Sequence, residues 1–432
     1  MHAVKSQQHI SKSRELQRTL YRAAKRSRSR RFHALYDHIF RPDILQRAWE
    51  EVKANRGECG IDGVKIEEIE TSGVAVFLKA IADDLKAKRY HPKPVRRVYI
   101  PKSNGDMRPL GIPTVRNRVV QQACKIVIEP IFEASFEDCS YGFRPKRSAK
   151  QAVDKVKKSM ICGWHVLDAD IKGFFDNVDH EIALKLVQKR ISDRRVVKLI
   201  RGWLEAGVIG EDGQYQPTVK GAPQGGVISP LLANIYLHVL DRYWQTECAH
   251  IGTLVRYCDD FVIVCREASQ AREAMREVQS ILDRLKLTLH PEKTKIVKTR
   301  DEGFDFLGFH FQKFASRKSG KLLPFNWPSR KAMNRIRERI REEVNIHRLK
   351  DGLREMVAQV NMSIRGWRSY FQNSNATKQL QQLDKYVYKR FKRVFRRKYK
   401  DKMNKALEKL SGWYPSSKVE RFYIAGICGR DA

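Results

Sequence analysis

The stretch LVRYCDDFVIVC, residues 254–265, is an apolar run broken by two adjacent aspartates and resumed as a second apolar run. The two runs, 254–257 and 261–265, carry the β-branched and aromatic side chains that suit a pleated, half-buried surface. Cys258, Asp259 and Asp260 fall between them, so the spacing predicts a β-hairpin with the acids at its turn. Neighbouring carboxylates on such a hairpin are costly unless water, an opposite charge or a metal ion neutralises them. Asp-Asp is also an ordinary turn pair, so the choice between a solvated turn and a metal centre rests on the rest of the chain.

Residues 164–176, WHVLDADIKGFFD, supply a second acidic element. In an extended strand Asp168 and Asp170 share a face with Trp164 and Val166, and two acids on the face of a central strand need a purpose. Asp179 is placed to cap the helix that follows. In GAPQGGVISPLLANIYLHVLD, residues 221–241, Gly221, Gly225 and Gly226 are expected to admit a ligand close to the backbone. Ser229 is expected as N-cap and Pro230 as the first residue of a helix that buries Leu232, Ile235, Tyr236, Val239 and Leu240. Upstream, PVRRVYIPKSNGDMRPLGIP, residues 94–113, reads as a hairpin turning at 103–106. Lys102 and Arg108 flank that turn, and two mobile cations there suit a triphosphate that must be gripped and released.

The whole chain points to a polyanion. Its 432 residues hold 85 Lys and Arg against 49 Asp and Glu, a formal charge of +36. That excess goes beyond what solubility requires, and nucleic acid is the commonest partner for it. The length suits two or three domains, and 42% hydrophobic residues are enough to build real cores, which excludes a disordered chain. Eight cysteines are scattered with neither C-x-x-C pairs nor zinc-type spacing, as expected of free thiols in a reducing compartment. The N-terminus lacks the apolar centre of a signal peptide, and no run approaches the about 18 apolar residues of a membrane span. The expectation is a soluble cytoplasmic protein, compatible with nucleoid association and without a membrane partner.

Cations recur with aromatics. Residues 13–31 form an Arg-rich helix or arm ahead of the first domain. Tyr141, Phe143, Arg144, Lys146 and Arg147 precede another helix, a mixture that can stack on bases while neutralising phosphates. Composition shifts near 315–330, where a domain boundary is expected, and 328–410 is helical and basic throughout. Within 385–405 eleven Lys or Arg stand against one Asp. Tyr388, Phe391, Phe395 and Tyr399 form a stripe read as core packing, and Lys389, Arg390, Lys392, Arg393, Arg396 and Arg397 are candidates for phosphate contacts.

A strand-borne acid, a Gly-rich turn before a helix and an acid pair on a hairpin are what two-metal nucleotidyl transfer needs. Carboxylates from separate strands hold two Mg²⁺ ions roughly 3.5–4 Å apart. At these residues the chain resembles the reverse transcriptases encoded by group II introns. The motifs run in that family's order: GIDG at 60–63, RPLGIPT at 108–114, YGFRP at 141–145, DADIKGFFDNVDH at 168–180 and GAPQGGVISPLLANIYLHVLD at 221–241. RYCDDFVI at 256–263, EKTK at 292–295, FLGF at 306–309 and IRGWRSYF at 364–371 complete the series.

The resemblance implies an α+β, right-hand polymerase with RNA template, DNA primer, dNTPs and intron RNA as partners. It implies a palm at 164–315 after an N-terminal extension with the start of the fingers at 1–93 and fingers at 94–163. A helical thumb or maturase (X) domain at 328–410 and a tail at 411–432 follow. Asp170, Asp259 and Asp260, with the Ile171 carbonyl, are the implied ligands of two Mg²⁺, for which Mn²⁺ is expected to substitute. Asp168 is the local competitor, but Asp170 lies five residues before Phe175, which matches the family's steric gate against a ribose 2′-hydroxyl. Lys102 and Arg108 match the fingertip cations on the nucleotide's phosphates, and Gln224 matches a residue lining its pocket. Lys293 is expected to contact the triphosphate or to protonate pyrophosphate, and Asp176 to serve the start of the next helix. Trp367, Tyr370 and Phe371 are expected in the thumb core.

Two departures stand out. Cys258 replaces the Ala of many relatives, a small change that should preserve the turn. Only Cys428 lies in the last segment, so no DNA endonuclease is expected there; the tail is at most a short DNA-binding segment, and a replication-fork primer is then the route to mobility. Two other readings share these residues. A freestanding host-defence or repair reverse transcriptase uses the same chemistry, whereas an RNA-binding splicing factor with a vestigial polymerase would not need Asp170, Asp259, Asp260, Phe175 and Gln224 together.

Overall fold

A computed structural model of the chain describes residues 2–101, 105, 107–316, 319–345, 347 and 353–399. The strands are β1 (Val95–Pro101), β2 (Met107–Ile112), β3 (His165–Ala169), β4 (Val208–Ile209), β5 (Tyr215–Gln216) and β6 (Thr253–Tyr257). They continue as β7 (Asp260–Cys265), β8 (Lys295–Lys298), β9 (Phe304–Phe306), β10 (Phe309–Ala315) and β11 (Leu322–Pro328). Three sheets result, of order β2-β1-β4-β5, β6-β7-β3-β8 and β11-β10-β9. With helices between the strands the fold is mixed α/β, in accord with the expected right-hand polymerase class.

The hairpin at 254–265 forms, with one change of register: Asp260 is the first residue of β7, so only Cys258 and Asp259 make the turn. Cys258 takes φ 61° with its side chain buried. The expected hairpin at 94–113 also forms, with Ile100 opposite Arg108.

Two compact units divide the chain. The first gathers Met1–Ser148, Leu167–Ile263 and Ser269–Lys295. At its centre is the helix Val115–Glu133, whose apolar residues are buried around most of its circumference because other helices cover it. The basic helix His2–Arg26 is one of them. It is docked, with Leu20 and Ala24 buried and the Gln17 amide donating to the Ile126 carbonyl at 3.0 Å. The helix Ser229–Tyr243 buries Leu232, Ile235, Tyr236 and Leu240 as expected, while Val239 keeps some exposure.

The second unit holds the described residues of Ala149–Val166, Val264–Ala268 and Ile296–Ala432. The division before Ile296 falls ahead of the expected 315–330 boundary. Phe309 of β10 explains it: its ring lies 4.6 Å from that of Phe371, so this strand is built against the helices that follow it. Helices Arg330–Glu343, Leu353–Phe371 and Thr377–Tyr399 enclose a core of Ile336, Ile340, Val360, Ile364, Leu383, Val387 and Phe391. The expected tail at 411–432, with Cys428, lies outside the described residues.

Within the first unit the acid-bearing hairpin is held from behind by Arg256, which is fully buried. Its Nε donates to Asp241 Oδ1 at 2.7 Å and its Nη2 to Asp241 Oδ2. It also donates to Ser140 Oγ at 2.8 Å, Asn234 Oδ1 at 3.2 Å and the Cys258 carbonyl at 2.7 Å. A charge buried this deeply is tolerated because its donors are shared among acceptors. Replacing Arg256 by Met leaves the Asp241 carboxylate buried without its partner and should cost about 3–5 kcal/mol of stability in urea unfolding. The Arg256→Met/Asp241→Leu pair should recover most of that loss; equal stability of the single variant and wild type would contradict the role given to the ion pair.

Candidate active site

Three carboxylates come from separate positions in the first unit: Asp170 just past β3, Asp259 in the hairpin turn and Asp260 at the start of β7. The segment 290–294 wraps around Asp170. The His290 N–H donates to its carbonyl at 2.7 Å, and Lys293 Nζ lies 2.8 Å from its Oδ2. Ile171, buried beside it, bridges Leu289. The Asp260 carboxyl is pushed up to about 6, first by loss of solvent around it and then by the charges of Asp259 and Asp170; Lys293 and Arg108 pull it down. Asp170 is thus the strand acid whose charge acts on the hairpin.

Among the described residues no three His, Cys, Asp or Glu side chains converge tightly enough to grip an ion. Asp170 is paired instead with Lys293. The donors are nevertheless all carboxylate oxygens, which suit a hard divalent cation, and the Asp260 carboxyl, short of solvent and beside Asp259 and Asp170, is raised despite Lys293 and Arg108. In its donor chemistry the set fits such an ion.

Next to the acids the Gly-rich turn is knotted onto the chain around Phe175. Ala222 N–H donates to the Phe175 carbonyl at 2.7 Å and Gly221 N–H to the Val178 carbonyl at 2.8 Å. Gly221 has φ +94°, and a Cβ there would lie 3.1 Å from the carbonyl oxygens of both Phe175 and Asp176. Gly225, at φ +112°, would put a Cβ 2.6 Å from the Gly111 carbonyl oxygen. The close approach that Gly221 and Gly225 permit here is to the protein's own backbone. Ser229, expected as the cap, is instead inside the helix, its hydroxyl donating to the Pro223 carbonyl at 2.9 Å. Asp179 is the N-cap expected, accepting from Ile182 N–H at 2.9 Å.

Phe175 and Gln224 line one cleft of about 270 Å³ with Arg97 and Lys220. The Gln224 carbonyl accepts from Gly111 N–H at 2.7 Å, which ties this cleft to β2. Arg108 is exposed on β2, and Lys102 lies outside the described residues.

Several expected phosphate contacts are otherwise engaged. Arg144 is buried, its guanidinium spent on Glu133 and the carbonyls of Glu137 and Ser140, so it pins the chain behind Arg256 and does not face nucleic acid. Arg147 is paired with Asp138, while Lys146 and Phe143 are exposed. Arg390 donates to the carbonyls of Arg341 and Val344 at a helix C-terminus, a structural duty. Lys389, Arg393, Arg396 and Arg397 are exposed, and Lys392 is partly so. The stripe in that helix also differs: Leu383, Val387, Phe391 and Val394 are buried, whereas Tyr388 is exposed. The side chains of Phe395 and Tyr399 lie outside the described residues. In the 364–371 motif Phe371 is buried, Trp367 partly, and Tyr370 is exposed, with its hydroxyl on the Leu307 carbonyl at 2.9 Å.

Sequence reasoning passed over Arg256 and Asp241. The signal was present: an arginine inside an otherwise apolar strand is almost never buried without a partner.

Because the Asp260 carboxyl titrates above the ordinary carboxylate range, its ionisation opposes folding, and that penalty grows as pH rises from about 4 through about 6. Asp260→Asn should therefore raise the melting temperature of metal-free protein at pH 7.5, with a gain that shrinks towards pH 4. A gain independent of pH would contradict the raised Asp260 pKa and its cause in lost solvent and neighbouring charge.

A model of the reverse transcriptase (RNA-dependent DNA polymerase) family matches residues 100–311. A model of the group II intron, maturase-specific domain matches residues 333–411. Protein YkfC of Escherichia coli (strain K12) is 37% identical over 362 residues, covering 74% of this chain and 93% of that protein. Group II intron-encoded protein LtrA of Lactococcus lactis subsp. cremoris is 39% identical over 274 residues, covering 62% of this chain and 43% of its own length. The uncharacterized 91 kDa protein in cob intron of Schizosaccharomyces pombe is 28% identical over 413 residues, 78% of this chain and 50% of that protein. The chain thus spans half or less of these two intron proteins and nearly all of the first relative. With both domain models matched in order, it belongs to the group II intron-encoded reverse transcriptase/maturase family of RNA-directed DNA polymerases.

Proposed function

We propose that the chain extends a DNA primer on an RNA template by two-Mg²⁺ nucleotidyl transfer, and that it binds a group II intron RNA to assist splicing and intron mobility. The observation that carries the catalytic part is the gathering of three hard-oxygen donors, in which the Asp260 carboxyl is pushed up first by loss of solvent and then by the charges of Asp259 and Asp170. Two Mg²⁺ ions bound there, or Mn²⁺ in their place, would supply a lowered pKa at the primer 3′-hydroxyl and charge neutralisation at the leaving pyrophosphate.

The chain's own groups do the positioning. Asp170, Asp259 and Asp260, with the Ile171 carbonyl, would hold the cations. Lys293, which pairs with Asp170 at 2.8 Å, is placed to contact the triphosphate or to give its proton to pyrophosphate. Arg108 and Lys102 take the outer phosphates. Phe175 closes the cleft beside the ribose, and Gln224 lines it. The exposed cations Lys389, Arg393, Arg396 and Arg397, with Lys146, face RNA phosphates.

Primed-template assays test this reading. Asp259→Ala should lower Mg²⁺-dependent cDNA synthesis by about a thousandfold or more, since several kcal/mol of charge stabilisation are lost; normal synthesis would sink the assignment. Phe175→Ala should relax discrimination against ribonucleotides by about 10–200-fold, the range open to a single steric contact. Unchanged discrimination would remove Phe175 from the gate.

A further inference from the structure

In the second unit, helices Arg330–Glu343 and Leu353–Phe371 leave a groove of about 670 Å³ between them. Arg335 and Arg339 line one wall, one helical turn apart; Met362, Gly366, Trp367 and Tyr370 line the other at spacings of three and four. The groove reaches down to the core, since Ile336 lines it and Trp367 packs against the core cluster, while Met362 and Tyr370 stand outside that cluster.

Packing accounts for part of the groove, with the Tyr370 ring 5.4 Å from that of Phe309 and its hydroxyl on the Leu307 carbonyl, but it leaves other surface exposed. Met362 and Tyr370 are 59% and 44% exposed, large side chains held against water. Gly366 lies inside a helix, where glycine is costly relative to alanine. Yet a Cβ at Gly366 would meet nothing within 4 Å, and its φ is not one that demands glycine. Among the described residues neither a neighbouring atom nor the backbone asks for glycine here, and the bare stretch of helix is open to close approach from outside.

The walls describe that visitor. Arg335 has no ion-pair partner among the described residues, and the Arg339 side chain is 61% exposed although its Nε meets Glu343 at 3.0 Å. Cations opposite an aromatic and a thioether over a bare stretch of helix suit a phosphate chain carrying a base with a free face. A base inside a double helix has no free face to offer, and the groove has the volume of a small-ligand pocket, too small for a duplex. The groove also lies within the match to the maturase-specific domain, in a chain of formal charge +36.

We propose that this groove binds an unpaired segment of RNA, with one base lying over Gly366 against Met362 and Tyr370 and with Arg335 and Arg339 on the flanking phosphates. The proposal rests on the RNA-binding reading of the maturase-specific domain and gives that reading a site. A protein partner on the same exposed side chains would not need the cations.

The experiment uses the full chain and two fluorescein-labelled probes, a non-self-complementary 12-nucleotide RNA and the same sequence as a duplex. Gly366→Leu should weaken binding of the single strand by about tenfold or more, the worth of one stacked base, with little change for the duplex. Gly366→Ala should melt at the same or a higher temperature than wild type, because the helix gains a better former and nothing clashes. A lowered melting temperature for Gly366→Ala, an unchanged single-strand affinity for Gly366→Leu, or an equal loss on both probes would overturn the groove. If wild type itself fails to bind the single strand, the RNA-binding reading falls as well; if wild type binds and Gly366→Leu binds equally, only the groove falls. Primer extension on poly(rA)/oligo(dT) separates the sources of the strand. A matching rise in KM for Gly366→Leu assigns the groove to template RNA, and an unchanged KM assigns it to a separate RNA.

Discussion

A single buried guanidinium governs the geometry of the acid cluster. Arg256 reaches Asp241 on a helix, Asn234 two turns earlier on the same face of it, Ser140 on a connecting segment and the Cys258 carbonyl in the turn. Desolvating that charge is worthwhile only if nearly every donor is used, so the helix, the segment and the turn are fixed relative to one another. The segment at 139–141 is drawn in further, with the Arg256 N–H on the Cys139 carbonyl at 2.8 Å and the Tyr141 N–H on the Arg256 carbonyl at 2.9 Å. Gly142 completes the contact, since a Cβ there would lie 2.5 Å from the Cys258 nitrogen. The positive φ of Cys258 is sustained by this surround and aims Asp259 and Asp260 away from it.

Against that rigid backing, the acids themselves are frustrated. Loss of solvent first, and then the charges of Asp259 and Asp170, raise the Asp260 pKa, and Lys293 and Arg108 offset only part of this. Function and stability pull apart here: the arrangement that costs the unliganded protein is the one that favours a divalent cation.

Local features could be read from the sequence. The two hairpins at 94–113 and 254–265 followed from turn residues between β-branched runs, and the Asp179 cap from its place before an apolar helical pattern. The motifs around Asp170, Phe175, Gln224, Asp259 and Lys293 announced the family. Errors arose where a residue's role depends on what lies across the fold. Arg144 looked like a phosphate ligand because it stands among cations, yet Glu133 and two carbonyls consume it. Arg390 looked equally available but satisfies the open end of another helix, and Tyr388 yielded the core to Val387 because the helix is rotated by its neighbours. Gly221 and Gly225 signalled close approach correctly; only the fold reveals that the approaching atoms are the chain's own.

The sequence by itself determined the elements, the acid positions, the polyanion partner and the family, because turn chemistry, periodicity and charge are properties of short stretches. The tertiary structure alone decided which cations are free, which glycines serve packing, where the second unit begins and why Asp260 is unlike Asp170. Each of these depends on contacts between residues far apart in the chain, where desolvation and shared hydrogen bonds, not local propensity, set the free energy.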